Sequence, residues 1–312
     1  MSRSMLRYDG PIFDAHTHVV NMDALGLLVR VGQQHGLRRA LLIVHGHPIE
    51  PIARKFPGMF VFAKYFLSAD LFAHGTESAV RAARTMREEG FSVAKMHFAP
   101  FWSQRLNLAS SAPPVSSPLF DPVFDALAED ELPVLIHVSD PDTYYAQRYS
   151  DVKLYGTKEE HLQELEDRLG RSPRVMFQVA HFAAQPETHR LANLSRMFDR
   201  YPNLFVDTGS ARWMARELGK DVNAARAFIR RHSDRILFGT DCVANSLDES
   251  YYTGRYESER ILFESDVIGM PLPFPDTDTA SSGGTVINGL NLDDDQLRRI
   301  YWENAQRLYS TS

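Results

Sequence analysis

Residues 11–20 read PIFDAHTHVV, a short apolar run that ends in Asp14, His16 and His18. Side chains two apart in an extended segment point to the same side. The spacing therefore predicts these three polar groups on one face, with Ala15, Thr17 and Val19 on the other. The same stretch separates two architectures. A doubly wound sheet usually carries a Gly-rich turn after its first strand, and this chain places His-Thr-His there instead. Two imidazoles aimed at one point can grip a divalent metal. Taken alone, they equally suit two unrelated polar residues at a strand end.

Strand-like runs recur at 40–45, 59–66, 91–98, 132–138, 174–182, 203–209 and 235–241. With the first, these make eight. Segments between them, such as TKEEHLQELEDRLG and PETHRLANLSRMFDRYP, place apolar residues three and four apart, with Gly or Pro near their ends. The strand runs hold few internal polar residues, which implies burial on both faces and a parallel sheet covered by helices. Eight such units predict an α/β protein made of one (β/α)8 TIM barrel domain spanning residues 1–312. Two stretches break the repeat: the Pro- and Ser-rich segment at about 99–118, and a long excursion at about 266–292. Long loops of this kind carry function more often than they support a fold. The closing run DDDQLRRIYWENAQRLY predicts an amphipathic helix with an acidic start.

Bulk properties narrow the partners. The 312 residues are 44% apolar and 24% charged with a net charge of −6, as expected of a globular protein with no electrostatic case for nucleic acid. No apolar run is long enough to cross a membrane. The opening MSRSMLRYDG lacks the apolar stretch of a secretory signal, so a cytoplasmic location is expected. A single cysteine, Cys242, excludes an internal disulfide and thiolate-cluster metal sites. Any metal must then be held by His and carboxylate.

In a barrel the site lies at the C-terminal ends of the strands. Those positions carry His16 and His18, His45, Lys95 and His97, His137, His181, Asp207 and Asp241. Each alone has an ordinary explanation, such as a bond to a neighbouring carbonyl or a helix cap. Together they suggest one rim lined with metal ligands. Imidazole and carboxylate suit zinc, and also manganese, iron or cobalt.

The order HxH, His, His, Asp, in the segments FDAHTHVV, VLIHVSD, VAHF and ILFGTD, resembles the amidohydrolase superfamily. Its branch related to aminocarboxymuconate-semialdehyde decarboxylase looks most similar. The resemblance runs over residues 12 to 309. It implies a TIM barrel of the metal-dependent hydrolase type, with one divalent metal, zinc first among the choices. His16, His18, His137 and Asp241 match its ligands. Asp241 also matches its proton acceptor, and His181 matches a residue that activates water or polarises substrate. A second metal bridged through Lys95 is the dinuclear alternative. Homodimers occur in this branch, and a homodimer is one expectation here.

The implied function is hydrolysis of a small organic substrate, carboxylated or ring-derived, by metal-activated water. The alternative is a metal-dependent decarboxylase, which needs a fixed cation for a substrate carboxylate. Substrate contacts are expected from His97, Lys95, Trp102, Tyr144, Arg148 and Arg212.

Overall fold

The computed structural model describes residues 5–66, 71–72, 76–279 and 284–309. Its centre is a curled parallel sheet of nine strands: β1 Ile12–Val19, β2 Leu37–Val44, β3 Phe60–Tyr65, β4 Val93–His97, β5 Val134–His137, β6 Phe177–Val179, β7 Leu204–Asp207, β8 Ile236–Leu237 and β9 Cys242–Ala244. Neighbours follow chain order from β1 to β8, and β9 pairs with the free edge of β1. Eight runs were expected and all eight form strands. The last, however, keeps only Ile236–Leu237 as strand, and a ninth strand follows just beyond the run. β8 pairs with β7 and β9 with β1, and Phe238–Asp241 between them breaks the regular backbone at Asp241, whose φ is 52°.

Alternate residues of the strands divide between two apolar clusters. Leu41, Ile43, Val61, Ala63, Val93, Leu135, Phe205 and Leu237 pack inside the curl. Leu42, Val44, Phe62, Ala94, Met96, Val134, Ile136 and Val206 pack outward in the cluster that includes the helices. This is the burial on both faces implied by the apolar runs. The inner space is plugged at one end by the chain's last helical turns. Phe13 there stacks on Tyr309 with ring centroids 5.8 Å apart and tilts against Trp302 at 6.3 Å. The end near the strand C-termini is left for polar groups.

The closing helix starts at a capping box, in which the Asp293 carboxylate accepts from Gln296 N at 2.8 Å. It passes through a π-helical turn at Arg299–Glu303. The segment TKEEHLQELEDRLG forms the helix Lys158–Arg171, with a second capping box between Thr157 and Glu160. Its Leu162, Leu165 and Leu169 are buried, each contributing about 2 kcal/mol. On the same helix Arg168 is fully buried. It donates to Val115 O, Asp121 and Ser117 O at 2.9, 2.9 and 3.0 Å, pinning the Pro- and Ser-rich stretch that has little regular structure of its own. The second long excursion forms a short antiparallel ribbon, β10 Met270–Pro271 with β11 Val286–Ile287, and residues 280–283 within it lie outside the described residues. No helix among the described residues is long and apolar enough to cross a membrane.

The expectation for β1 needs one correction. Asp14 pairs with Ala40 and Thr17 with Leu42, so β1 takes three steps where β2 takes two. An extra residue in one strand turns the following side chains to the other face. Asp14 consequently does not share a face with His16 and His18. It reaches Thr240 and Tyr256, while the two imidazoles turn toward Asp241.

Candidate metal centre

His16 Nε2 and His18 Nε2 lie 3.5 and 3.3 Å from Asp241 Oδ1. The three residues offer ligand atoms within one small sphere. Two bonds of about 2.0–2.1 Å at a tetrahedral angle hold their outer atoms roughly 3.4 Å apart, so the spacing fits one ion touching all three. Protonation agrees with that use. Burial lowers the His18 pKa to about 4 and the His181 pKa to about 3. Both rings are therefore neutral at pH 7, as ligands must be. Burial would raise the Asp241 carboxyl, but His16, His18 and His181 hold it well below the usual range.

Each ligand ring is aimed by a partner behind it. Asp207 Oδ2 accepts from His16 Nδ1 at 3.0 Å, which leaves Nε2 to face the site. The arrangement is the carboxylate–histidine pairing that orients metal ligands. Asp207 also accepts from Gln178 Nε2 at 2.6 Å and from the backbone N–H groups of His181 and Gly209, both at 2.9 Å. His16, His181 and Asp207 form a second compact group, yet Asp207 already accepts four hydrogen bonds. It orients; it has no lone pair to spare for a metal. His18 Nδ1 and His45 Nε2 lie 2.9 Å apart, one donating and one accepting. Asp14 bridges the two halves of the donor set. Its Oδ1 accepts from His16 N at 3.1 Å and Thr240 N at 3.0 Å, and its Oδ2 accepts from Thr240 Oγ1 at 2.6 Å and Tyr256 OH at 2.8 Å.

Other predicted residues gather around a cavity of about 550 Å³. His181 lines it from a left-handed turn in which His181, Phe182, Ala183 and Ala184 have φ of 56°, 57°, 52° and 56°. Such backbone costs about 1–2 kcal/mol per residue, a strain typical of functional positions. Among the described residues its Nδ1, buried against Gly209, has no hydrogen-bond partner. His137 lines the cavity too, but lies outside the compact donor set. Its Nε2 is engaged by Asp140 Oδ1 at 3.1 Å, and its ring stacks on His97 at 4.3 Å. Lys95 lies at the cavity wall, fully buried, with its pKa lowered by burial to about 8.

Trp102 does not reach the cavity; Phe101 and Gln104 do. Trp102 Nε1 instead donates to His97 Nδ1 at 3.0 Å, so it positions His97. Tyr144, Arg148 and Arg212 line the cavity. Asp278, from the long loop after strand eight, folds back to them, 3.1 Å from Arg148 and 3.7 Å from Arg212. Sequence reasoning missed this acid, because nothing local in PFPDTDTA marks which cation it meets. It also left Asp207 and His45 unassigned, although both stand at strand ends.

Gly209 keeps the centre open. A Cβ there would lie 2.9 Å from Asp207 Oδ1 and His181 Nδ1, and 3.1 Å from His16 Nδ1. Gly209→Ala is expected to cost about 1–3 kcal/mol of stability by overpacking and to weaken metal binding, read by denaturation and chelator competition. Wild-type values for both would mean the centre tolerates the methyl group.

No curated protein matches this sequence. Solved structures share the fold at low identity. The 5-carboxyvanillate decarboxylase from Sphingomonas paucimobilis is 12% identical over 96% of this chain and 99% of its own, with a TM-score of 0.53. The one from Novosphingobium aromaticivorans, solved with manganese and 4-hydroxy-3-methoxy-5-nitrobenzoic acid, is 12% identical over 96% of both chains, with a TM-score of 0.51. An amidohydrolase from Burkholderia multivorans is 13% identical over 96% of this chain and 99% of its own, at 0.54. In sequence, the amidohydrolase family model matches residues 52–311. It takes in β3 to β9, with Asp241 between the last two, and leaves out β1, which carries His16 and His18, and β2; covering most of the chain, the match shows an enzyme that belongs to the amidohydrolase family.

Proposed function

We propose that this protein is a metal-dependent hydrolase of a small organic substrate, using water activated at the His16–His18–Asp241 centre. The observation that carries the reading is this donor set beside the unpartnered Nδ1 of His181. His16, His18 and Asp241 would hold the ion, and His137, on the same wall, is the candidate for a fourth position. Zinc is our first choice, and manganese, iron and cobalt suit the same donors. When bound, such an ion lowers the pKa of water and polarises a substrate oxygen. The ionised Asp241 accepts a proton from the attacking water, and neutral His181 orients that water or steadies charge developing on the substrate. Tyr144, Trp213 and Phe101 supply aromatic walls.

A metal-dependent decarboxylase is the second reading. It gains support from the cationic side chains Lys95 and Arg255 in the same cavity, and from two decarboxylases among the proteins that share the fold. We also read the chain as one closed (β/α)8 barrel domain, a reading supported by the bond from Ala15 N to Phe238 O at 2.8 Å across the split strand.

Elemental analysis of the purified protein is expected to find one divalent metal per chain, with His18→Asn lowering the occupancy. No metal, even after reconstitution, would sink the proposal. Release of carbon dioxide from a carboxylated substrate, with no hydrolytic product, would move the assignment to the lyase.

A further inference from the structure

We infer that Arg255 is the anion-binding residue of this cavity and that it takes a carboxylate of the substrate. The inference rests on the proposed site but assigns it a residue that the motifs do not mark. Arg255 lies on the helix Glu249–Glu264 and lines the cavity together with His18 and Asp241. Its guanidinium packs over the Tyr251 ring, 4.7 Å from the centroid. Among the described residues a single long hydrogen bond joins Nη1 to Thr240 O at 3.4 Å. A guanidinium carries five N–H donors, so most of this fork is unspent.

The other arginines near the cavity differ in one respect. Arg148 and Arg212 both face Asp278, and Arg105 packs over Trp102 at 5.4 Å without lining the cavity. Among the described residues, no carboxylate oxygen comes within 4.0 Å of Arg255. The nearest acids act on it differently. Asp241 is committed to His16 and His18, and burial drives the Glu259 carboxyl well above its usual range, toward its neutral form.

A partly buried cation is costly unless an anion and good hydrogen bonds meet it. Here Arg255 is part of the cavity lining. Two parallel N–H groups match the two oxygens of a carboxylate. A phosphate is more often cradled by several backbone N–H groups at a helix N-terminus, and the Arg255 fork stands mid-helix. With aromatic walls around it, the geometry favours an arylcarboxylate or a similar planar acid.

The test titrates benzoate, benzamide and phenyl phosphate into the metal-loaded protein and its variants by calorimetry. Benzoate is expected to bind the wild type and to weaken about 10- to 100-fold in Arg255→Gln. Arg255→Lys, which keeps the charge but loses the fork, should fall between them. Arg231→Gln, at an exposed arginine paired with Asp199 away from the cavity, should leave benzoate affinity unchanged, and benzamide should not respond to Arg255→Gln. Equal benzoate affinity in Arg255→Gln overturns the inference, as does a wild type that ignores benzoate or prefers phenyl phosphate through Arg255. Metal content measured on the same samples keeps the two readings apart. A metal-free protein that still holds benzoate through Arg255 counts against the metal alone. A metal-loaded protein whose benzoate ignores Arg255 counts against this inference alone.

Discussion

Asp241→Asn is expected to lower kcat by about 10³-fold, within the range that general-base residues contribute, while the fold survives. The carboxylate is the charged member of the donor set, 3.5 and 3.3 Å from two imidazole nitrogens. An amide of the same shape removes the charge that attracts a metal and the base that takes a proton. Asparagine is also among the few residues that tolerate positive φ, so the 52° at this position need not change. Circular dichroism should show an unshifted melting transition, and steady-state kinetics should show the loss. Wild-type turnover in this variant would remove Asp241 from the chemistry.

Asp207→Ala is expected to damage both stability and metal binding. The carboxylate accepts four hydrogen bonds in a fully buried place. Removing it strands donors that each cost about 1–3 kcal/mol unpaired, and denaturant unfolding should register a loss of at least about 3 kcal/mol. The milder Asp207→Asn keeps the volume. It should weaken metal affinity about 10- to 100-fold, as loss of a ligand's orienting partner typically does. Chelator competition measures that affinity. If Asp207→Asn binds metal as tightly as the wild type, His16 is aimed by something other than Asp207.

Much of this site could be read along the chain, because strand ends announce themselves locally. A β-rich run followed by a polar residue places that residue at the rim, and His16, His18, His97, His137, His181 and Asp241 all line the cavity. The residue-by-residue alternation failed at one point. PIFDAHTH gives no sign that β1 carries an extra residue, so Asp14 read as a face-mate of the histidines when it is their outward bracket. The eighth run likewise read as a strand throughout, although only Ile236–Leu237 of RILFGTD is strand and β9 begins beyond it at Cys242. Trp102, expected at the substrate, stands off the cavity wall because its indole N–H is taken by His97.

By itself the sequence determined the element order, the buried parallel sheet and the chemistry of the donors, since periodicity and residue type act over short separations. Tertiary structure decided which of those donors meet and which charges remain open. Asp207 stands 191 positions from the His16 it orients, and Asp278 stands 130 positions from Arg148. Among the described residues, Arg255 has no such acid across from it. Neutralisation depends on distances of a few ångströms across the folded chain, since charge interactions fall with separation and are screened by solvent, and no local pattern encodes those distances.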